Sequence, residues 1–163
     1  MGKKIYRPKM KKAIILAAGI GSRIKKIYDK PKALLQFGEK RKSIIQRLYG
    51  ILKKKKFSDI IVVTGYKSNL IIKNLSKNEV SFLNYKNYRK TNNLQTLLFA
   101  KKELNSAFLC IFADLIFDEN IVNKILKVNK KIVLAIDSSK VLSGTMRIKK
   151  NLNKITGIGN HIS

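Results

Sequence analysis

Short runs of apolar, mostly β-branched residues alternate along this chain with stretches in which apolar residues recur at helical spacing. The apolar runs predict five strands, at residues 13–18, 59–64, 80–84, 107–113 and 131–136. Helices are predicted at residues 43–54, with Ser43 as N-cap, and at 69–75, 94–104 and 119–128, and a β-hairpin or two short strands at 145–158. This alternation predicts an α/β fold with a mostly parallel sheet, helices on both faces and ligands at the carboxyl ends of the strands.

The composition is that of one folded domain. The chain has 163 residues, of which 45% are hydrophobic. No apolar run approaches the ~18 residues of a membrane-spanning helix and no secretory signal is recognisable, so we expect no membrane span and a cytoplasmic protein. The single cysteine, Cys110, excludes an internal disulfide and a cysteine-based zinc site, and its apolar neighbours predict a core residue.

The formal charge is +27, from 36 basic and 9 acidic residues. Such a charge is compatible with nucleic-acid binding, because basic surfaces attract phosphates. The positive residues are mostly lysines spread from Lys3 to Lys154, without an arginine-rich arm, which favours a general compositional bias instead. In either case the field favours small anionic ligands such as nucleotides and sugar phosphates.

The segment after the first predicted strand is rich in small residues. Residues 16–23 read Leu-Ala-Ala-Gly-Ile-Gly-Ser-Arg, and residues 29–34 read Asp-Lys-Pro-Lys-Ala-Leu. Small side chains let backbone N–H groups approach a phosphate chain closely, and Arg23 and Lys32 add charged donors. The segment matches neither the Walker pattern nor the dinucleotide fingerprint, which has a third glycine where Ile24 stands. From the residues alone, it is either a phosphate-binding loop or a tight turn without a ligand.

A carboxylate follows the strand predicted at 107–113. Asp114 would lie at the mouth of the sheet, where it could bind a hard cation such as Mg²⁺ or cap the following turn. Asp118 and Glu119 are interpreted as the start of the next helix.

Two adjacent amides, Asn92 and Asn93, lie at the start of the helix predicted at 94–104. Their side chains could bind a base edge, a ribose or a phosphate, or could cap the helix. His161, the only histidine, lies in a polar tail and is not expected to be catalytic.

The two halves of the small-residue segment, Leu-Ala-Ala-Gly-x-Gly-x-Arg at 16–23 and Pro-Lys-x-Leu at 31–34, form an ordered signature. With it the chain resembles the nucleotidyltransferases that make NDP-sugars, CDP-choline and CDP-inositol-type products, those with a MobA-like NTP transferase domain. The resemblance implies a Rossmann-like three-layer sandwich, as in nucleotide-diphospho-sugar transferases. It also implies a Mg²⁺-dependent transfer of a nucleoside monophosphate from an NTP to a small phosphorylated acceptor, with release of pyrophosphate.

The resemblance assigns roles to particular residues. The residues implied in nucleotide binding are Leu16, Ala17, Ala18, Gly19, Gly21, Ser22, Arg23, Lys32, Asn92 and Asn93. Three residues are implied in catalysis: Arg23 would stabilise the leaving pyrophosphate, Lys32 would bridge the reacting phosphates, and Asp114 would hold Mg²⁺. In similar enzymes a glycine precedes this aspartate, whereas Ala113 stands here.

The nucleotide and the acceptor are less closely specified. Residues 91–97 resemble the Asn-Asn-x-x-Ser-Leu stretch of choline-phosphate and related cytidylyltransferases, which favours CTP. Gly65-Tyr66 matches a family Gly-Tyr pair whose loop borders the base pocket, although Tyr66 could equally be a packing residue. Choline phosphate, an inositol phosphate or a sugar phosphate could each be the acceptor.

The predicted organisation is a basic N-terminal extension, residues 1–9, followed by a nucleotidyltransferase domain, residues 10–163. We expect this domain to be truncated at its C-terminal end, because similar enzymes continue into a half that supplies acceptor contacts and a second metal-binding aspartate. Asp137, the only acidic residue after Glu119, does not match that ligand. A homo-oligomer or a missing C-terminal partner therefore stays open.

The sequence is compatible with three functions. The favoured one is a Mg²⁺-dependent nucleotidyltransferase, with CTP as the favoured donor. The second is a non-catalytic nucleotide-binding module, or a fragment of a split enzyme. The third, supported by charge alone and not favoured, is a basic nucleic-acid-binding protein.

Overall fold

The computed structural model describes residues 10–90, 92–139, 146–152 and 154–159 of the 163-residue chain. The extension predicted at residues 1–9 and His161 lie outside these ranges. The chain divides into two compact units, one ending at Leu126 and one beginning at Lys127. Among the described residues, no helix combines the length and the apolar character that crossing a membrane requires.

The first unit is built on a four-stranded parallel sheet. Its strands are β1 (Lys12–Ala17), β4 (Asp59–Thr64), β5 (Ser81–Asn84) and β6 (Phe108–Phe112), and their order in the sheet is β5-β4-β1-β6. Two short antiparallel strands, β2 (Gln36–Phe37) and β3 (Lys42–Ser43), form a separate ribbon. Its helices are α1 (Ile44–Lys54), α2 (Ser68–Asn74) and α3 (Asn93–Phe99), and α4 (Asn120–Lys127) belongs to it up to Leu126. In the central strand β1, Lys12 pairs with Asp59 of β4 and with Phe108 of β6. All carboxyl ends of the strands therefore lie at one edge of the sheet.

Strand β1 is buried along its whole length, and its side chains alternate between two apolar clusters. Ile15 belongs to a cluster with buried residues of α1, α2 and α4, whereas Ile14 and Leu16 belong to a second cluster against which Leu97 of α3 packs. Burial of each such side chain contributes about 1.5–3 kcal/mol. The sheet thus has helices on both faces, as the Rossmann-like three-layer sandwich requires.

The first helix confirms the start that the sequence predicts. Ser43 accepts a hydrogen bond from the Gln46 backbone, and the Gln46 side chain accepts one from the Ser43 N–H, which completes a capping box. The buried positions are those expected from helical spacing: Ile44, Ile45, Leu48, Ile51 and Leu52.

The prediction of a strand at 131–136 is wrong. This run lies in the second unit, forms no strand in the described chain, and leaves Ile132 83% exposed. Its β-branched residues favour an extended backbone, but a strand also needs a hydrogen-bonded neighbour, and none of the described sheets includes this run. The hairpin predicted in the same unit is present, as β7 (Arg147–Asn151) paired with β8 (Lys154–Gly159).

Two further segments of the first unit differ from the prediction. The helix predicted at 94–104 ends at Phe99, where the Ala100 N–H bonds to the Leu97 carbonyl and a 3₁₀ turn follows at Lys101–Glu103. The β2–β3 ribbon was not predicted, since two-residue strands carry no periodic pattern.

A close backbone contact joins the ends of β1 and β4. The Tyr66 N–H donates to the Ala18 carbonyl over 3.1 Å. A Cβ added to Gly65 would lie 2.8 Å from the Ala18 oxygen and 2.9 Å from the Cβ of Tyr88. A side chain does not fit at Gly65 without movement of the backbone beside it.

We therefore expect Gly65→Ala to lower the free energy of unfolding by about 1–3 kcal/mol. Gly50, in the middle of α1, is the matched control, because a Cβ there meets nothing within 4 Å. Gly50→Ala should raise the stability by about 0.5–1 kcal/mol, since alanine favours the helix. Urea unfolding followed by circular dichroism measures both, and equal effects of the two substitutions would contradict the close contact at Gly65.

Candidate active site

The loop that follows β1, residues 19–30, is hereafter the glycine loop. It is organised by local turns: the Ile24 N–H donates to the Gly21 carbonyl over 3.0 Å, and the Tyr28 N–H donates to the Ile24 carbonyl over 2.9 Å. Gly21 has a φ of 69°, a left-handed conformation that glycine adopts without strain. All twelve residues of the loop are described, and none is buried. The loop is therefore a surface segment ordered by hydrogen bonds instead of core packing.

The side chain of Lys32 packs against the glycine loop at Gly21. A Cβ added to Gly21 would lie 2.9 Å from Lys32 Cγ and 3.1 Å from Lys32 Cε, so the aliphatic part of Lys32 lies against the bare backbone of Gly21. Pro31 is buried and precedes the 3₁₀ turn Lys32–Leu34, in which Ala33 is buried as well. These anchors hold the Lys32 backbone while its amine reaches towards the sheet.

Asp114 lies beside the end of β1. The Ala113 N–H donates to the Leu16 carbonyl over 3.0 Å, which ties the end of β6 to the central strand. The Lys32 amine lies 3.8 Å from Asp114 Oδ2, and the two side chains are 28% and 50% exposed. A cation and an anion therefore face each other at the carboxyl edge of the sheet, both open to solvent. At this exposure their mutual attraction is strongly screened.

An open cleft of about 500 Å³ lies at this edge of the sheet. The sequence-predicted residues that line it are Leu16, Ala17, Gly19, Gly21, Ser22, Arg23, Lys32, Asn93 and Asp114. Pro31, Ala33, Phe112 and Ala113 complete its lining. The structure therefore brings most of the candidate site residues to one cleft, while Ala18 and Asn92 are not among its lining residues. The roles of these residues in binding or catalysis stay predictions.

Asn92 and Asn93 differ in what their side chains do. Asn92 is the N-cap of α3: its Oδ1 accepts from the Gln95 N–H at 3.0 Å, and its own N–H donates to Gln95 Oε1 at 3.1 Å. This is the capping alternative that the sequence left open. Asn93 is the first helical residue and faces the cleft. A nucleotide contact through the Asn92 side chain stays a prediction.

A metal site here would have a single protein carboxylate. Within the described ranges, no three His, Cys, Asp or Glu side chains cluster closely enough to hold an ion by themselves. Asp114 nevertheless fits Mg²⁺, because this ion commonly takes one or two protein carboxylates and completes its shell with phosphate oxygens and water. Its half-exposed carboxylate at the cleft leaves room for those other ligands.

A cluster that the sequence did not predict lies around the end of the glycine loop. The Tyr66 hydroxyl donates to Asp29 Oδ1, and the Lys67 amine donates to Asp29 Oδ2 over 2.7 Å and to the Asp29 carbonyl over 2.6 Å. The hydrogen bond from Lys67, and then that from Tyr66, lower the pKa of Asp29 below its ordinary value. Two sequence signals bear on this cluster: Asp29 stands two residues before Pro31 of the signature, and Tyr66 belongs to the Gly65-Tyr66 pair. Neither predicts that the two side chains meet.

Comparison with known proteins identifies the family. Residues 13–142 match the model of the MobA-like NTP transferase domain, and the chain belongs to this family. It is 32% identical over 136 residues to the CTP:phosphoglutamine cytidylyltransferase of Campylobacter jejuni, covering 78% of this chain and 53% of that protein. It is 34% identical over 99 residues to the choline-phosphate cytidylyltransferase of Streptococcus pneumoniae, covering 60% of this chain and 42% of the relative.

Among solved structures, the inositol-1-phosphate CTP transferase from T. maritima matches 96% of this chain and 66% of its own, with a TM-score of 0.72 and 20% identity. At that identity the match concerns the fold, which it confirms as the Rossmann-like fold predicted from the sequence. The chain spans about half the length of the two cytidylyltransferase relatives.

The contact between Gly21 and Lys32 gives a test of the cleft geometry. We expect Gly21→Ala to lower the free energy of unfolding by about 1–2 kcal/mol, because alanine resists positive φ and its Cβ meets the Lys32 side chain. Gly19→Ala is the control, since a Cβ at Gly19 meets nothing within 4 Å. That substitution should change the stability by less than about 0.5 kcal/mol. Denaturant unfolding compares the two, and a larger loss at Gly19 would contradict the geometry.

Proposed function

We propose that this protein is a cytidylyltransferase, which transfers CMP from CTP to a small phosphorylated acceptor and releases pyrophosphate. Membership of the nucleotidyltransferase family supports the reaction class. The observation that carries the proposal is the Lys32–Asp114 pair, 3.8 Å apart at a cleft whose wall is the glycine loop. The Lys32 amine, which can bind a phosphate, and the Asp114 carboxylate, which can bind a metal ion, thus lie close enough to contact the same ligand.

In this proposal the triphosphate lies along the glycine loop. Its small residues leave backbone N–H groups accessible, and Arg23, exposed at the cleft, offers a planar fork of donors to the β- and γ-phosphates. The Lys32 amine bridges phosphate oxygens on the two sides of the bond that breaks. Asn93 contributes an amide at the amino end of α3.

The reaction is an in-line displacement. An oxygen of the acceptor phosphate forms a new bond to the α-phosphorus of CTP, and the bond from that phosphorus to the oxygen bridging to the β-phosphate breaks. Pyrophosphate leaves with the bonding electron pair, and the CMP group stays on the acceptor. Catalysis consists of holding the two phosphates in line and neutralising charge, which Arg23 and Lys32 do in this proposal.

Asp114 is proposed to hold Mg²⁺. When bound, the ion supplies positive charge against the triphosphate oxygens and fixes their orientation. Until the nucleotide arrives, Lys32 is the cation nearest to Asp114 among the contacts that the structure describes. The same lysine can turn to the phosphates once Asp114 has a metal neighbour.

Two related observations support the choice of CTP. Two relatives at 32% and 34% identity are cytidylyltransferases by name, one for phosphoglutamine and one for choline phosphate. The chain itself carries Asn92 and Asn93 in the context that favours CTP. Phosphorylated small molecules with an additional polar or cationic group are therefore the first acceptors to examine.

A non-catalytic nucleotide-binding module is the second candidate. The matched region covers 53% and 42% of the two relatives. Any contacts that those two proteins make through their other residues lie outside this region. In this second candidate function, the glycine loop and Lys32 still bind the nucleotide, but no transfer reaction takes place.

We expect the protein, with Mg²⁺ and CTP, to release pyrophosphate in the presence of one acceptor among choline phosphate, phosphoglutamine, inositol 1-phosphate and sugar 1-phosphates. Asp114→Asn and Lys32→Ala should each lower the rate by about 10²-fold or more, because each removes charge at the reacting phosphates. Chelation of Mg²⁺ should abolish release. A coupled pyrophosphate assay measures these rates with all four NTPs.

Asp118→Asn is the matched control. Asp118 Oδ1 accepts the Asn120 N–H over 2.7 Å at the start of α4, and asparagine also caps helices, so the rate should stay near that of the unaltered protein. CTP binding without pyrophosphate release from any pair would favour the non-catalytic module. Equal loss in Asp118→Asn and Asp114→Asn would contradict the assigned role of Asp114.

A further inference from the structure

Tyr66 contacts the glycine loop and its flanks at three points. At the amino end, its N–H donates to the Ala18 carbonyl over 3.1 Å. In the middle, the Lys25 amine lies 5.5 Å from the centre of the Tyr66 ring. At the carboxyl end, the Tyr66 hydroxyl donates to Asp29. One residue at the end of β4 thus joins the start, middle and end of an eleven-residue excursion from Gly19 to Asp29.

Tyr66 is itself firmly held. It is 7% exposed, its ring lies 6.2 Å from that of Tyr88, and the preceding Gly65 is closely packed against Ala18. None of the twelve residues of the glycine loop is buried, so the loop has no core side chain that anchors it. Its conformation therefore depends on its own turns, on the Lys32 side chain against Gly21, and on the contacts with Tyr66 and Lys67.

Lys67 strengthens the contact at the carboxyl end. Its amine donates to both the side chain and the backbone of Asp29, so it fixes the chain as well as the carboxylate. Its backbone has a φ of 45°, which is uncommon for a residue other than glycine. The carboxylate in turn raises the pKa of Tyr66 and of Lys67 through these hydrogen bonds. Both groups already carry their protons at neutral pH, so the two hydrogen bonds to Asp29 are present there.

We propose that Tyr66, Asp29 and Lys67 form a latch that closes the glycine loop in advance and so positions Arg23 and Lys32 for the triphosphate. Asp29 lies three residues before Lys32 and six after Arg23, so fixing it restrains both cationic residues. These three are positioning residues, and their role rests on the proposed nucleotide binding of the cleft. A loop that is ordered before binding does not lose that freedom when the ligand arrives, which tightens binding.

Two measurements on the full chain test the latch. The first is CTP affinity with Mg²⁺ present, by calorimetry. Tyr66→Phe keeps the ring and the Lys25 contact but removes the hydroxyl, and Asp29→Ala removes the acceptor. Each should weaken CTP binding by about 5- to 20-fold. The double variant should be no weaker than Asp29→Ala alone, because both substitutions remove the same contact.

The second measurement needs no nucleotide. Hydrogen exchange of the backbone amides in residues 19–30 should become faster in Tyr66→Phe and Asp29→Ala, while exchange in β1 and β4 stays unchanged. A substitution that merely destabilises the whole protein would speed exchange in the strands as well. Lys67→Arg should retain slow exchange, since arginine can still donate to Asp29.

The chain offers a matched control in the Lys53–Glu79 pair. Its N–O distance is 2.7 Å, as in the Lys67–Asp29 pair, and both lysine side chains are 37% exposed. Lys53→Ala should leave CTP affinity and loop exchange unchanged, whereas Lys67→Ala should alter both.

The outcomes separate the latch from the proposed function. If the unaltered protein binds no NTP, the proposed function fails, and loop exchange alone decides whether the latch exists. If it binds CTP and the Tyr66 and Asp29 variants bind equally well, the latch is overturned while nucleotide binding stands. Additive losses in the double variant, or unchanged exchange in residues 19–30, would also overturn it.

Discussion

The architecture of the cleft depends on the close approach of the chain at the ends of β1 and β4. Gly65 packs against Ala18, and the Tyr66 N–H bonds to the Ala18 carbonyl, so the glycine loop leaves the sheet from a fixed point. On the other side of β1, the bond from Ala113 to Leu16 brings the end of β6 alongside. Three chain segments that are distant in sequence therefore meet at one edge through backbone contacts. The backbone thus sets the shape of the cleft, and the charged and polar side chains project from these fixed positions.

The charge distribution at this edge suits an anionic ligand that arrives with a cation. The chain carries a formal charge of +27, which attracts phosphates from a distance at low salt and less so as salt is raised. Close to the cleft, Asp114 is an acidic exception in a strongly basic protein, and Lys32 lies beside it. The pair is partly exposed and its attraction is screened by solvent, so its separation costs little when better partners are present. The general field and the local pair act at different distances, and both favour the same class of ligand.

Much of the sheet could be predicted from the sequence, because β1 and β4 are continuous apolar runs and α1 has both a capping residue and regular spacing. That the candidate residues meet at one cleft was predictable where one local segment carries them, as with Gly21 and Lys32. Asp114 needed only its position at the end of a strand. The prediction failed where structure depends on distant partners: the run at 131–136 has strand-like composition but no neighbouring strand among the described residues. Tyr66 and Asp29 are 37 positions apart, and no periodic pattern in the sequence indicates that they are in contact.

The adjacent residues Asn92 and Asn93 at the start of α3 have different surroundings, and this difference affects which substitutions the protein can accept during evolution. Asn92 is committed to the helix through its reciprocal bonds with Gln95, so most replacements there loosen α3. Asn93 faces the cleft and is not part of that reciprocal pair. If the cleft binds the nucleotide as proposed, a mutation at Asn93 changes the cleft lining while the cap of the helix stays intact. Under that proposal, ligand preference can drift at this position without a compensating change in the scaffold.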